Sequence, residues 1–263
     1  WDMSFLDTVR TLVSAADDTG RDMNALASAI QNGIGMDRVI YLDSHDTAGD
    51  LNGNTRITRL ISSDDPTGFW ARKRALLGAV LTMTSPGMPM VFQGEELLEN
   101  WSFSDRTGFR WDILYDSRHS GHLNAYKDLI HARRNLKGGT QGLQGDGCSV
   151  HHIDNSNKVL AWKRWLNGGD DVVIVANFGV TAWTNNDYYV EFPAAGVWYA
   201  HFNGDSTRYG ADNNDIGSAQ VTASGTPPRA VVNMGRYSAY LFSQTAPATS
   251  GSGWSCWSSR GYP

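Results

Sequence analysis

Cysteine, long apolar runs and clusters of basic residues are all scarce in this sequence of 263 residues. Its two cysteines, Cys148 and Cys256, are too few for a disulfide framework, so we expect free thiols and a cytoplasmic protein. Apolar runs such as residues 75–80 end well short of a membrane span, and no signal peptide is recognisable at the start. Lys and Arg number 22 against 27 Asp and Glu and are scattered. We therefore expect neither a membrane nor a nucleic-acid partner.

Tryptophan and tyrosine are, in contrast, abundant, with ten residues of each. Aromatic rings stack on the faces of sugars, so an aromatic-rich surface suits a carbohydrate ligand. Large rings also supply much of the buried area of a core, and most of these are expected there. Composition alone therefore indicates a globular protein and does not identify its ligand.

The first half alternates predicted helices and strands. Apolar residues recur with helical spacing after Asp22, a candidate cap, and Gly33 and Gly35 are expected to end that helix. A buried strand over residues 39–42, a polar loop over 47–67, a helix over 68–83, a buried strand over 90–92 and a helix over 119–136 follow. The order α-β-α-β-α predicts an α/β fold with parallel strands and helices outside.

After residue 138 the pattern changes to short runs of alternating polarity separated by turns, with no strong helix. Strands are predicted over residues 149–153, 158–165, 171–178, 188–192, 197–202 and 236–242. This pattern predicts an antiparallel all-β sandwich over residues 139–245. Residues 246–263 are rich in Ser, Gly, Thr and Pro and are predicted to form a disordered tail, although Trp254, Cys256 and Trp257 are unusual in a linker.

The strand over residues 39–42 runs directly into Asp43, Ser44, His45 and Asp46. A strand that stops at a cleft and presents an imidazole and carboxylates there is how an α/β barrel places catalytic groups. Such a pair suits the stabilisation of a developing positive charge. A bare His-Asp pair is also compatible with an ordinary surface turn or a satisfied core histidine.

The segment over residues 41–46 resembles the fourth conserved region of the α-amylase superfamily, glycoside hydrolase family thirteen. Ser44 before His-Asp is similar to the E-S-H-D form of branching enzymes, with Asp43 in place of Glu. Residues 86–96 resemble the eighth barrel strand of that family, and Trp1-Asp2-Met3 resembles the W-N-M segment that follows its acid/base Glu. The β-rich half resembles the family's C-terminal domain, so the resemblance covers about residues 1–244.

This resemblance implies a retaining enzyme of the branching type that acts on α-1,4-glucans. We expect neither a cofactor nor a metal. Asp46 matches the third carboxylate, which stabilises the transition state, and His45 matches the neighbour that binds the same sugar. Asp43, Glu95 and Trp101 are further candidates for contact with substrate. Two alternatives stay open: an amylase-like hydrolase, and a non-catalytic β module that binds starch or glycogen.

The nucleophile and the acid/base of that family lie upstream of Asp46 by more than the 45 residues present here. A whole barrel needs about 250 residues. We therefore expect residues 1–138 to be the C-terminal part of a (β/α)8 barrel, followed by the β domain. Such a piece is expected to be inactive and prone to aggregate when it is alone.

Three further motifs are expected to carry no chemistry. The G-F-R-W-D sequence that ends at Asp112 resembles a nucleophile strand, but it follows a polar loop and lies downstream of Asp46. His119 and His122 lack a third metal ligand. The acidic stretch over residues 212–215 lacks the Gly and the terminal Glu of a regular calcium loop.

Overall fold

A computed structural model describes residues 1–32, 37–49 and 54–248 of the chain. Gly33 and Gly35, which were expected to end the second helix, lie outside the described residues. So do Trp254, Cys256 and Trp257, together with all of the predicted tail beyond residue 248. The domain bounds 1–138, 139–245 and 246–263 stay predictions.

The described residues of the first half form six α-helices, and aspartates cap three of them. They are α1 (Met3–Ser14), α2 (Met23–Gln31), α3 (His45–Ala48), α4 (Ile57–Ile61), α5 (Phe69–Thr84) and α6 (Ser117–Arg133). The carboxylates of Asp2, Asp22 and Asp116 accept hydrogen bonds from backbone N–H groups in the first turns of α1, α2 and α6. The sequence predictions of α2, α5 and α6 are confirmed, whereas the polar loop over 47–67 is interrupted by α3 and α4.

Two short strands, β1 (Val39–Ile40) and β2 (Met88–Pro89), pair in parallel, and α5 crosses between them. The predicted buried strand over residues 90–92 is wrong, because pairing in this segment is confined to Met88 and Pro89. Residues 90–92 are only half-buried, since β1 is the one strand beside β2 in the described part of the chain. The parallel arrangement was expected, but a barrel is not evident.

Helix α5 is buried along almost its whole length. Gly78 allows this close packing, because a Cβ atom there would lie 2.7 Å from Leu42 Cδ2. Arg133 and Arg164 surround the helix's C-terminal end and donate hydrogen bonds to the carbonyls of Ser85 and Thr84, among others. Carbonyls that a helix cannot satisfy itself are thereby satisfied by two buried guanidinium groups.

The second half forms an antiparallel sheet of six strands in the order β3-β4-β5-β10-β7-β8, and a second sheet of two strands, β6 and β9. Their bounds are β3 (Gly147–Asp154), β4 (Val159–Trp165), β5 (Val172–Asn177), β6 (Tyr189–Glu191), β7 (Gly196–Asn203), β8 (Gln220–Ala223), β9 (Arg229–Val231) and β10 (Ser238–Ser243). All six predicted strands are confirmed, and β8 and β9 were missed.

Each face of the six-stranded sheet has its own apolar core. Along β5, Val172 and Ile174 pack with the helices, whereas Val173 and Val175 pack with the two-stranded sheet. This alternation follows from the two-residue period of a strand. The sheet is therefore the middle of three layers, and the core between helices and sheet is continuous from Phe5 in α1 to Leu241 in β10.

Buried polar contacts add to this core between the two halves. The ammonium group of Lys73 in α5 lies 2.6 Å from Asp205 after β7, and that of Lys158 donates to the carbonyl oxygen of Arg21 at 2.8 Å. No helix in the described part of the chain is long and apolar enough to cross a membrane.

Candidate functional site

The chain changes from buried to exposed within four residues after β1. Asp43 and Ser44 are almost fully buried, whereas the side chains of His45 and Asp46 are 59% and 69% exposed. Imidazole Nε2 of His45 lies 3.2 Å from Asp46 Oδ1. The strand end therefore presents an imidazole and a carboxylate side by side to solvent.

Ser44 fixes the backbone where the chain passes from buried to exposed residues. Its hydroxyl accepts from the N–H groups of Asp46 and Thr47 at 3.2 and 3.4 Å, and the Thr47 hydroxyl accepts from the Ser44 N–H at 2.9 Å. This reciprocal cap begins α3 at His45 and fixes the backbone of both exposed residues.

Asp43 has a different environment from the one expected of a substrate ligand. One of its oxygens forms an ion pair with Arg10, and the other accepts from the Ile57 N–H at 3.0 Å. Arg10 also donates to the carbonyls of Leu42 and Thr55 at 3.1 and 3.0 Å. Burial raises the pKa of the Asp43 carboxyl, and the Arg10 guanidinium opposes that rise. Both oxygens are thus engaged within the protein, and Asp43 joins β1 to α1 and α4.

Trp1 extends the exposed surface beside His45. Its ring meets those of Tyr41 and His45 edge-on, with centroids 5.3 and 5.7 Å apart. Tyr41 is buried beneath them, and its hydroxyl donates to the sulfur of Met3 at 2.9 Å. The W-D-M motif gave the sequence signal for Trp1, but nothing in the sequence indicated its contact with His45.

Glu95 is also buried rather than exposed to substrate. The Tyr126 hydroxyl donates to its Oε1 at 2.6 Å. Burial raises the pKa of Glu95 to about 8, and the nearby charge of Asp43 adds to this effect. The carboxyl therefore retains its proton at neutral pH, and it lies beneath the surface formed by the loop after β2.

Trp101 is the candidate whose ring is accessible, with 58% of the residue exposed. The Arg110 guanidinium carbon lies over one face of the Trp101 ring, 3.8 Å from its centroid. Arg110 is held by an ion pair with Glu99, whose carboxylate also accepts from the Trp101 N–H at 2.9 Å. Arg56 fixes the same loop by donating to the Trp101 carbonyl at 3.1 Å.

The three motifs expected to carry no chemistry have ordinary structural surroundings. Asp112 lies in an exposed 3-10 turn (Trp111–Tyr115), with no strand leading into it. His119 contacts the Leu97 carbonyl at 2.6 Å, and burial lowers the pKa of His122 to about 3. Asp212 pairs with Arg72 at 2.5 Å. Among the described residues no cluster of three or more His, Cys, Asp or Glu side chains could hold a metal ion.

Comparison with known proteins places the β-rich half in a family. Residues 149–245 match the family model of the alpha amylase C-terminal all-beta domain. The chain is 27% identical over 217 residues to a 1,4-alpha-glucan branching enzyme of Mesorhizobium japonicum, covering 80% of this chain and 28% of the relative. It is 31% identical over 197 residues to a branching enzyme of Xanthomonas campestris pv. campestris, covering 71% of this chain and 25% of the relative. The chain thus spans about a quarter of the length of these relatives.

Solved structures with a similar fold include an alpha-amylase from Anoxybacillus, with a TM-score of 0.61, 15% identity, and coverage of 95% of this chain and 47% of that one. A pullulanase complexed with maltotetraose, from Anoxybacillus sp. LM18-11, has a TM-score of 0.63 and 14% identity, and covers 93% of this chain and 35% of that one. At these identities the structural similarity concerns the fold alone, and it extends over both the helical and the β-rich halves.

Proposed function

We propose that this chain, which belongs to the α-amylase superfamily, is the C-terminal part of an enzyme that cleaves α-1,4 bonds of glucans and transfers the released chain. The observation that carries the proposal is the exposure of His45 and Asp46 at the end of a buried segment that begins in the parallel strand β1, on a backbone that Ser44 fixes. Sequence similarity to branching enzymes supports the choice of reaction.

In this proposal Asp46 stabilises the transition state. An exposed carboxylate that accepts hydrogen bonds from sugar hydroxyls gains strength as the ring becomes positively charged, so the interaction favours the transition state over the ground state. His45 binds the same sugar, and its contact with Trp1 limits the orientations of the imidazole. Trp101 offers a platform for a second sugar on the ring face opposite Arg110.

Asp43 and Glu95 act as positioning residues in this proposal, not as substrate ligands. Asp43 joins the end of β1 to α1 and α4 through Arg10 and Ile57. Glu95 joins the loop after β2 to α6 through Tyr126. The buried Asp43 carboxyl therefore fixes the segment after β1, and the buried Glu95 carboxyl fixes the loop after β2. The exposed surface at His45 and Asp46 remains open to substrate.

We further propose that residues 1–138 form the C-terminal part of a (β/α)8 barrel, because α5 crosses between two parallel strands and the candidate groups follow their carboxyl ends. Retaining hydrolysis or transfer also needs a nucleophile and an acid/base about 5–5.5 Å apart. We assign neither of these groups to this chain. Within the same proposal the enzyme is cytoplasmic, which agrees with Cys148 forming no disulfide with another described residue.

Hydrolysis of α-1,4 bonds is the second candidate, because Asp43 stands where the E-S-H-D form of branching enzymes has Glu. Amylose treated with the full-length enzyme separates the two reactions. Transfer shifts the absorbance spectrum of the iodine complex without producing new reducing ends, whereas abundant reducing ends would contradict the branching proposal. The Asp46→Asn variant serves as the control, since it should lose either activity while remaining folded.

A purely binding function belongs to another class, and the same experiment addresses it. A non-catalytic starch-binding protein would change neither the iodine spectrum nor the number of reducing ends. It would also be indifferent to the Asp46→Asn substitution.

A further inference from the structure

A cleft of about 820 Å³ lies between the start of α5 and three loops of the β-rich half. This volume is in the range of sites that bind small molecules. The side chains that concern its chemistry are those of Phe69, Thr181, Thr184, Asn214, Ile216 and Arg236, and the carboxylate of Asp205, paired with Lys73, also lines it. None of them belongs to the surface around His45 and Asp46.

Asn177, a buried residue at the end of β5, fixes two edges of the cleft relative to each other. Its amide group donates to the Thr181 carbonyl at 2.7 Å and to the Gly235 carbonyl at 2.9 Å. Thr181 lies on one edge of the cleft, and Gly235 directly precedes Arg236, which lies on another edge. The distance between these edges is therefore set by one buried side chain.

Tyr240 and Asp205 fix the third edge, at Ile216. The Tyr240 hydroxyl donates to the Ile216 carbonyl at 2.7 Å and accepts from the Gly235 N–H at 2.8 Å. Asp205 accepts from the Ile216 N–H at 3.0 Å and is itself paired with Lys73 of α5. The cleft is thus held open by buried hydrogen bonds, and a ligand would not have to order its walls.

The groups that face the cleft suit a neutral, hydroxyl-rich ligand. Arg236 is exposed and forms no ion pair within the described residues, so its donors are available. Thr181, Thr184 and Asn214 are exposed and offer both donors and acceptors. Phe69 adds a half-buried aromatic ring, which suits the apolar face of a sugar.

Phe69, which lines the cleft, lies at the same end of the parallel strands as the candidate active site. Phe69 is the first residue of α5, and α5 leads from the region after β1 back to the start of β2. A helix that connects parallel strands begins at the end where the first strand finishes. Phe69 and Asp46 therefore lie on the same side of the molecule.

We propose that this cleft binds a segment of an α-glucan chain, as a second carbohydrate site separate from the His45–Asp46 surface. The proposal rests on the proposed function for its class of ligand. A chain held at Phe69 and Arg236 would remain attached to the enzyme while another part of the same polymer occupies the surface at Asp46. The cleft would thereby raise the local concentration of the polymer at the reacting site.

The test compares the full-length protein with its Arg236→Ala/Asn214→Ala double variant. Binding to glycogen is measured by affinity electrophoresis, and binding to maltoheptaose by titration calorimetry. We expect the double variant to bind glycogen about tenfold more weakly, as the loss of several hydrogen bonds at one site would produce. Arg208→Ala is the matched control, because Arg208 is an exposed arginine of the β-rich half that does not line the cleft.

An unchanged affinity of the double variant for glycogen, within twofold of the parent, would overturn the cleft proposal. The Asp46→Asn variant distinguishes this failure from failure of the proposed function. If Asp46→Asn retains activity but the double variant binds weakly, the cleft is supported and the proposed function is wrong. If Asp46→Asn is inactive and the double variant binds normally, only the cleft proposal fails.

Discussion

The ammonium group of Lys73 lies 2.6 Å from Asp205 Oδ1, and both side chains are at least 97% shielded from solvent. The pair joins α5 to the turn after β7, between the helical and β-rich halves. Burial lowers the pKa of Lys73, and Asp205 opposes this effect. An ion pair in this position is costly to break, since either partner would be left buried and unpaired.

We therefore expect Lys73→Met to lower the free energy of unfolding by about 3–5 kcal/mol. Restoring neutrality with Lys73→Met/Asp205→Leu should recover a large part of this loss, because no isolated charge remains. The measurement is denaturant unfolding of the full-length protein. As a control, Arg118→Ala removes the exposed pair with Asp116 and should cost less than about 1 kcal/mol. Equal costs for the two single variants would contradict the explanation.

Arg164 predicts a second effect on stability. Its guanidinium donates to the carbonyls of Thr84 and Gly145, and to that of Gly147 at 3.0 Å. A lysine has the charge but not the planar set of donors, so Arg164→Lys should cost at least ~2 kcal/mol. Lys163→Ala, at the neighbouring and more exposed position on β4, should cost under about 1 kcal/mol. A stability of Arg164→Lys equal to that of the parent would refute this role.

Asp43 should affect stability and activity together. Asp43→Asn leaves Arg10 without its anionic partner in a largely buried site, and we expect a loss of about 3 kcal/mol. His45→Ala, two residues away but exposed, should lower activity on amylose with little change in the unfolding midpoint. If Asp43→Asn lowered activity without changing stability, Asp43 would be a substrate ligand after all.

Glu95 predicts a specific dependence of stability on pH. Its pKa is raised from 4.5 to about 8 in the folded chain. Between about pH 5 and 8 the folded state keeps a proton that the unfolded state has released, so stability falls as pH rises through this interval, by up to ~1.4 kcal/mol per pH unit, and levels off above it.

The Glu95→Gln variant isolates this effect, because glutamine can still accept the hydrogen bond from Tyr126 but does not titrate. Denaturant midpoints of parent and variant should differ least near pH 5, where the protonated carboxyl resembles the neutral amide, and the parent should lose stability relative to the variant as pH rises to 8. Above pH 8 the difference should stay constant. Parallel profiles from pH 5 to 8 would show that Glu95 is already ionised in the folded chain.

The elements that the sequence predicts well are those whose signals are local. The cap at Asp22 and the apolar spacing of α2 lie within eleven residues of each other. Strands β8 and β9 have only four and three residues, and no aromatic residue extends their alternation, whereas Tyr188 and Phe192 extend that of the equally short β6. Residues 90–92 were mistaken for a strand because an apolar run does not reveal which strand it pairs with.

The residues of the candidate site also divide into those with local sequence signals and those whose surroundings depend on distant partners. Exposure of His45 and Asp46 follows from a polar pair after an apolar strand, which is visible in sequence. The burial of Glu95 depends on Tyr126, 31 residues later, and that of Asp43 on Arg10, 33 residues earlier. Such long-range partners give no signal in a single sequence, so both carboxyls were assigned to the substrate when the structure engages them internally.

The hydrogen bond from Arg164 to Thr84 also limits how the β-rich half can be exchanged between relatives by recombination. Recombination between relatives that exchanged the β-rich half near residue 139 would bring α5 from one parent and position 164 from the other. Unless the incoming chain supplied an arginine there, the carbonyl of Thr84 would lose its donor at the crossover. The C-terminal end of α5 and the strand β4 should therefore pass between lineages as one block, and viable crossovers should fall elsewhere.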